Sequence, residues 1–248
     1  VELFLRLKFL SGFNVVFVAF RVGPGDLIFN LCKTMKTSTQ TYPRREEFVN
    51  VLSHGTGLLL SIAALVLMVV FASLDGNAWH IVGAAIFGAS LVILYLASTL
   101  YHGVRRPVWK KRLNVFDHAA IYVLIAGTYT PFMLVTLNGG WGWSLFGVIW
   151  GLAIAGIVFK IFFTGRFNAV STVVYVLMGW LIVIAIVPLI ENLPTAGLIW
   201  LIAGGLSYSL GAVFFMLDRL PFNHAIFHLF VLGGSVCHFF AVFLYVIP

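Results

Sequence analysis

Three histidines, His102, His224 and His228, fall at what reads as the same end of different apolar segments. Imidazole is a costly side chain in a bilayer, so a cluster of them asks for a compensating partner, and a metal ion is the obvious one. His224 and His228 are four residues apart, which turns both rings to one face of a helix. Ser98 stands in the same relation to His102, one turn deeper in its segment. Asp117 is the only acidic residue of the third apolar segment, and its position predicts a place in that segment's first turn. For zinc, three neutral imidazoles leave a fourth position for water, the arrangement of a catalytic site and not of a closed structural one. Zinc brings the pKa of such a water down toward about 7. Asp117 would take the water proton or orient the nucleophile, and Ser98 would hold a hydrogen bond to water or to a substrate carbonyl.

The other candidate residues read differently. A single histidine at a helix end is ordinarily an interfacial residue, and His80 and His118, both beside a loop, are read that way. His54 and His238 are either outer partners of the cluster or helix–helix hydrogen bonds, and the latter is preferred for His54. Cys32 and Cys237 lie outside any metal-ligand spacing and predict no structural disulfide; Cys237 reads as a small packing residue.

Composition dictates the elements that carry these groups. Of 248 residues, 61% are hydrophobic and only 9% charged, which water cannot solvate in a folded domain of this length. Apolar runs long enough to cross a bilayer, about 20 residues each, occur near 51–72, 79–101, 115–137, 141–163, 170–190, 196–217 and 224–247. The expected fold is therefore all-α, a polytopic membrane protein built as a seven-transmembrane helix bundle. The runs are continuous and not alternating, which excludes a β-barrel. Turn residues join them, as at Asp75-Gly76-Asn77, Asn138-Gly139-Gly140 and Asn192-Leu193-Pro194, so a single bundle is expected over residues 51–248.

Lys and Arg alternate between the connections, and short loops rich in them stay cytoplasmic. Arg44 and Arg45 precede the first run, Arg105, Arg106, Lys110, Lys111 and Arg112 follow the second, and the loop after the fourth is read as holding Lys160 and Arg166. The intervening loops carry Asp75 and Glu191, so the N-terminus is expected in the cytoplasm and the C-terminus outside. The net charge of +7 is a topology signal and a source of contact with membrane lipids; no nucleic-acid partner is expected. Residues 35–50 read as a cytoplasmic N-terminal segment opening at Met35. Residues 1–34 read as a leader upstream of that start, against the competing reading of an eighth membrane-associated segment. No obligatory protein partner is implied, and the Gly147-x-x-x-Gly151 spacing allows a homodimer.

The residues resemble a known family. Glu47, Asn50 and His54 form an E-x-x-N-x-x-x-H opening; Ser98-Thr99-Leu100-Tyr101-His102, Phe116-Asp117-His118, Gly127-Thr128-Tyr129-Thr130-Pro131-Phe132 and Asn223-His224-Ala225-Ile226-Phe227-His228 follow in order. Together with His238 they are similar to the haemolysin III and progestin/adipoQ receptor superfamily, from about Arg44 to the C-terminus. The short loops and the Gly-Thr-Tyr-Thr-Pro-Phe run point to the bacterial haemolysin III branch, and hence to the bacterial inner membrane. The resemblance implies zinc near the cytoplasmic face, held at His102, His224 and His228, with Ser98 and Asp117 beside it. The superfamily's relation to membrane hydrolases that include alkaline ceramidases implies hydrolysis of a lipid amide. The alternative is a haemolysin-type pore former, or a membrane-homeostasis or lipid-sensing protein, in which zinc serves structure. No run carries the sustained polar stripe that an aqueous conduit needs.

Overall fold

The structure, a computed structural model, describes residues 42–248. The expectation of a leader over residues 1–34 lies outside the described residues, as do Cys32 and the first part of the 35–50 segment. Among the described residues every regular element is helical: α1 (Arg44–Asp75), α2 (Ala78–Gly103), α3 (Pro107–Pro131), α4 (Gly139–Phe163), α5 (Asn168–Gly179), α6 (Ile186–Asn192), α7 (Thr195–Met216) and α8 (Asn223–Tyr245). A π-helical turn, Phe132–Thr136, continues α3, and a 3-10 turn, Leu181–Ala185, links α5 to α6. Seven spans long and apolar enough to cross a membrane result, with α5, the 3-10 turn and α6 making up the fifth.

Helix ends differ from the apolar runs where polar residues extend a helix. At about 1.5 Å per residue, the 32 residues of α1 outrun a hydrocarbon core of about 30 Å. Its first turn carries Glu46 and Glu47, which suit the positive end of the helix dipole. Likewise α3 begins at Pro107, where a missing N–H costs the helix nothing. Asp117 therefore sits in the third turn of α3 and not in the first, because the basic stretch before it is helical. At the opposite end of the bundle His80 serves as a cap: Asn77 Oδ1 accepts from Trp79 N at 2.9 Å and His80 N at 3.4 Å, while His80 Nδ1 accepts from Asn77 N at 3.1 Å.

The spans close into a ring. α1, α2 and α3 pack in succession, α5 meets α3 and α7, α7 pairs with α8, and α8 returns to α1, while α4 packs against α3. Gly83 allows one of these approaches, since a Cβ there would lie 2.9 Å from Pro131 Cα. Outward faces are apolar, as with Phe48, Leu59 and Leu74, which are about 70% exposed (68%, 70% and 71%) in the absence of lipid. Gly147 and Gly151 also face out, with nothing within 4 Å of where a Cβ would be.

Two helices are interrupted, at Pro131 and after Gly179. Pro131 lacks an N–H and so leaves the helix one backbone bond short; beside it Trp150 Nε1 donates to Thr130 Oγ1 at 3.2 Å and ties α4 to α3. Where α5 ends, the Tyr129 hydroxyl donates to Gly179 O at 2.8 Å and accepts from Ile182 N at 2.8 Å. Backbone groups freed inside a bilayer must find partners within the protein, and the Tyr129 hydroxyl supplies two.

Candidate metal centre

Two helix ends bring three histidines together at the basic end of the bundle. His102 occupies the last turn of α2, and His224 and His228 share one face of the first turns of α8. Phe222, with a left-handed φ of 58°, turns the chain so that α8 starts directly before His224. All three histidines are buried, and one ring nitrogen from each lies within 4.8 Å of the others. His102 Nε2 faces His224 Nε2 at 3.2 Å.

The outer nitrogens of the same rings are held from α1 and from the residues just before it. His102 Nδ1–H donates to Glu47 Oε2 at 2.6 Å, and Lys110 Nζ donates to Glu47 Oε1 at 2.7 Å and to Tyr101 O at 2.9 Å. Tyr42 Oη lies 3.0 Å from His224 Nδ1, with the two rings stacked at 4.6 Å. Burial raises the Tyr42 hydroxyl well above the usual phenol range, so it stays a neutral O–H that can accept from the imidazole. Ser53 Oγ lies 3.4 Å from His228 Nδ1. With each Nδ1 engaged outward, Nε2 is the nitrogen left to face the centre, the tautomer that metal-bound histidines adopt. Bonds of about 2.0–2.1 Å in a tetrahedral site would place two such nitrogens roughly 3.4 Å apart, close to the 3.2 Å seen between His102 and His224. The residues present thus fit a metal ion, and the imidazole set suits zinc among several divalent ions.

A cavity of about 150 Å³ opens beside the cluster, with Ser98, Asp117, His224 and His228 in its wall. Ser98 Oγ is buried and has no hydrogen-bond partner among the described residues. The rest of the wall is largely apolar, including Leu94, Leu124, Ile125 and Val231. The chain matches the model of the haemolysin III-related family over residues 42–239, which includes all of the groups named so far. The chain belongs to the haemolysin III-related family. It is 52% identical over 215 residues to Hemolysin-3 of Bacillus cereus, covering 87% of this chain and 98% of that protein. The identity to the Hemolysin-3 homolog of Bacillus subtilis (strain 168) is also 52%, over 201 residues, 81% of this chain and 94% of that one. More distantly, the human Monocyte to macrophage differentiation factor is 31% identical over 199 residues, 77% of this chain and 81% of its own. No solved structure matches.

Several residues of this haemolysin III-related protein lie elsewhere than the sequence predicts. His54 makes no helix–helix hydrogen bond: both ring nitrogens are buried without a partner among the described residues, and the ring stacks on His228 at 3.5 Å. His238 does bridge helices, donating from Nε2 to Leu201 O at 3.1 Å past the bare Cα of Gly204. His118 is no isolated interfacial group; it lines the cavity, with Nδ1 3.9 Å from Asp117 Oδ2 and bonded to Asn114 O at 2.9 Å. Lys160 is not in a loop but fully buried in the last turn of α4. Tyr42 and Ser53 were not singled out from the sequence, Lys110 entered it only as a basic residue of a loop, and Glu47 only as part of a motif. The signal for Glu47 was its spacing: 47, 50 and 54 lie on one face once α1 is known to start before Val51.

Proposed function

We propose that this haemolysin III-related protein is a zinc-dependent hydrolase of a lipid amide, ceramidase-like in its chemistry, seated in the bacterial inner membrane with its site at the cytoplasmic side. The observation that carries the reading is the three-imidazole cluster, braced from outside and presenting His224 and His228 in the wall of a largely apolar cavity. His102, His224 and His228 would hold the ion. Bound there, zinc would supply a Lewis acid for the amide carbonyl and a lowered pKa for water. The apolar wall would receive an acyl chain and exclude bulk water from the reacting bond. Ser98 Oγ, which has no partner among the described residues, would donate to the carbonyl oxygen of the amide. Asp117 would accept the proton of the attacking water and return it to the departing amine, so that a C–O bond forms as the C–N bond breaks.

Metal analysis of the purified protein and of His102→Ala, His224→Ala and His228→Ala tests the centre. One equivalent of zinc in the parent and its loss in each variant is expected; unchanged metal in all three would remove the reading. Fatty-acid release from a broad panel of lipid amides tests the reaction, with Asp117→Asn expected to retain zinc and lose at least about 100-fold in turnover.

The name of the Bacillus cereus relative, Hemolysin-3, favours a second reading in which the protein opens membranes, or senses their lipids, and zinc is structural. Dye leakage from liposomes would distinguish them: leakage that is equal in the parent and in zinc-free His224→Ala supports the pore.

A further inference from the structure

The same cavity carries a second polar cluster, away from the histidines in sequence. Lys160 from the end of α4 and Asn168 and Ser171 from the first turn of α5 all line it. Lys160 is 0% exposed and Ser171 2%. Lys160 Nζ, Ser171 Oγ and Asn168 Oδ1 are each buried without a hydrogen-bond partner among the described residues. No carboxylate among those residues comes within 4.0 Å of the Lys160 ammonium, although Glu47 meets Lys110 and His102 at that range. An ammonium taken out of water with no counter-ion is unfavourable, and three unmet polar atoms on residues that line one cavity call for a ligand that meets them together.

The chemistry of the three atoms describes that ligand. Lys160 offers a positive charge and up to three N–H donors, Ser171 an O–H, and Asn168 Oδ1 an acceptor. An oxyanion next to an N–H or O–H would satisfy all of them, and the apolar remainder of the wall suits a hydrocarbon chain. We infer that Lys160, Ser171 and Asn168 receive an oxyanion on the amine side of an acyl amide. The preferred lipid is then an N-acyl amino acid or a phosphorylated N-acyl amine, and a neutral ceramide-like amide is disfavoured. This substrate assignment rests on the lipid-amide hydrolase reading, whereas the anion preference is a property of binding alone.

Binding to the full chain in detergent, read by thermal shift and by equilibrium dialysis, tests it with four probes. They are N-dodecanoylglycine, N-dodecanoylethanolamine phosphate, neutral N-dodecanoylethanolamine, and inorganic phosphate. At least one anionic amide should bind tenfold or more tighter than the neutral one, and the tighter of the two identifies the oxyanion as carboxylate or phosphate. Lys160→Met should lower both anionic amides to the neutral level, leave the neutral one unchanged, and melt no lower than the parent. Lys160→Arg should keep most of the preference. Equal binding of neutral and anionic amides, a preference that survives Lys160→Met, or stabilisation by inorganic phosphate alone as large as by the lipids would each overturn the inference. His224→Ala separates the two readings, since it should abolish turnover and keep the anion preference. If the parent shows that preference but hydrolyses no amide, the hydrolase reading fails alone.

Discussion

At the residue scale the cluster owes its form to groups that touch no metal. Glu47 is shared between His102 and Lys110, so a single carboxylate fixes the tautomer of one imidazole and anchors the start of α3. Outer partners of this kind are worth about 10- to 100-fold in metal affinity. Glu47→Gln should therefore weaken zinc by about that factor, measured by competition with a chromogenic chelator, without removing the site as His102→Ala would. Unchanged affinity would mean that the carboxylate does not set the ring. His102, His224 and His228 were legible because imidazoles at one depth in apolar runs are few, and four-residue spacing fixes their common face. Tyr42, Ser53 and Lys110 were not, because hydroxyls and amines at helix ends are ordinary until three dimensions show what they meet.

At the element scale, the number of spans could be read directly from hydropathy, but their ends could not. An apolar run records what lipid surrounds, whereas a helix continues for as long as its backbone bonds are made. Hence α1 and α3 begin seven and eight residues before their runs at 51 and 115, and Asp117 moves from the first turn to the third. The break after Gly179 was equally silent, since nothing in an unbroken apolar stretch marks a change to 3-10 geometry. The Tyr129 hydroxyl makes that break tolerable. Tyr129→Phe would leave Gly179 O and Ile182 N without it, at a cost of about 1–3 kcal/mol for a buried polar group left unpaired. A melting temperature lowered by several degrees in detergent, with zinc content intact, is the expected result; an unchanged one would show that the break needs no such partner.

For the whole molecule, the antiparallel succession of spans gathers Arg44, Arg45, Arg105, Arg106 and Arg166 at one end, with Asp75 and Glu191 at the other. The rule that short basic loops stay inside predicts an inward N-terminus and a cytoplasmic basic end. In a background with Cys32 and Cys237 replaced by serine, Arg166→Cys should react with a membrane-impermeant maleimide only after the cells are opened. Asn77→Cys should react in intact cells. The reverse pattern would invert the protein and move the histidine cluster to the outer face.

The two halves of the cluster stand far apart in the chain, His102 in the second span and His224 and His228 in the last. During synthesis the ribosome delivers one of the three imidazoles with the second span and withholds the other two until six spans have been made. A nascent or truncated protein lacking α8 offers one of these three ligands, too few to capture an ion, so an ion held by all three would wait upon insertion of α8. Occupancy of a centre built from all three imidazoles would thereby mark a chain whose seventh span is in place.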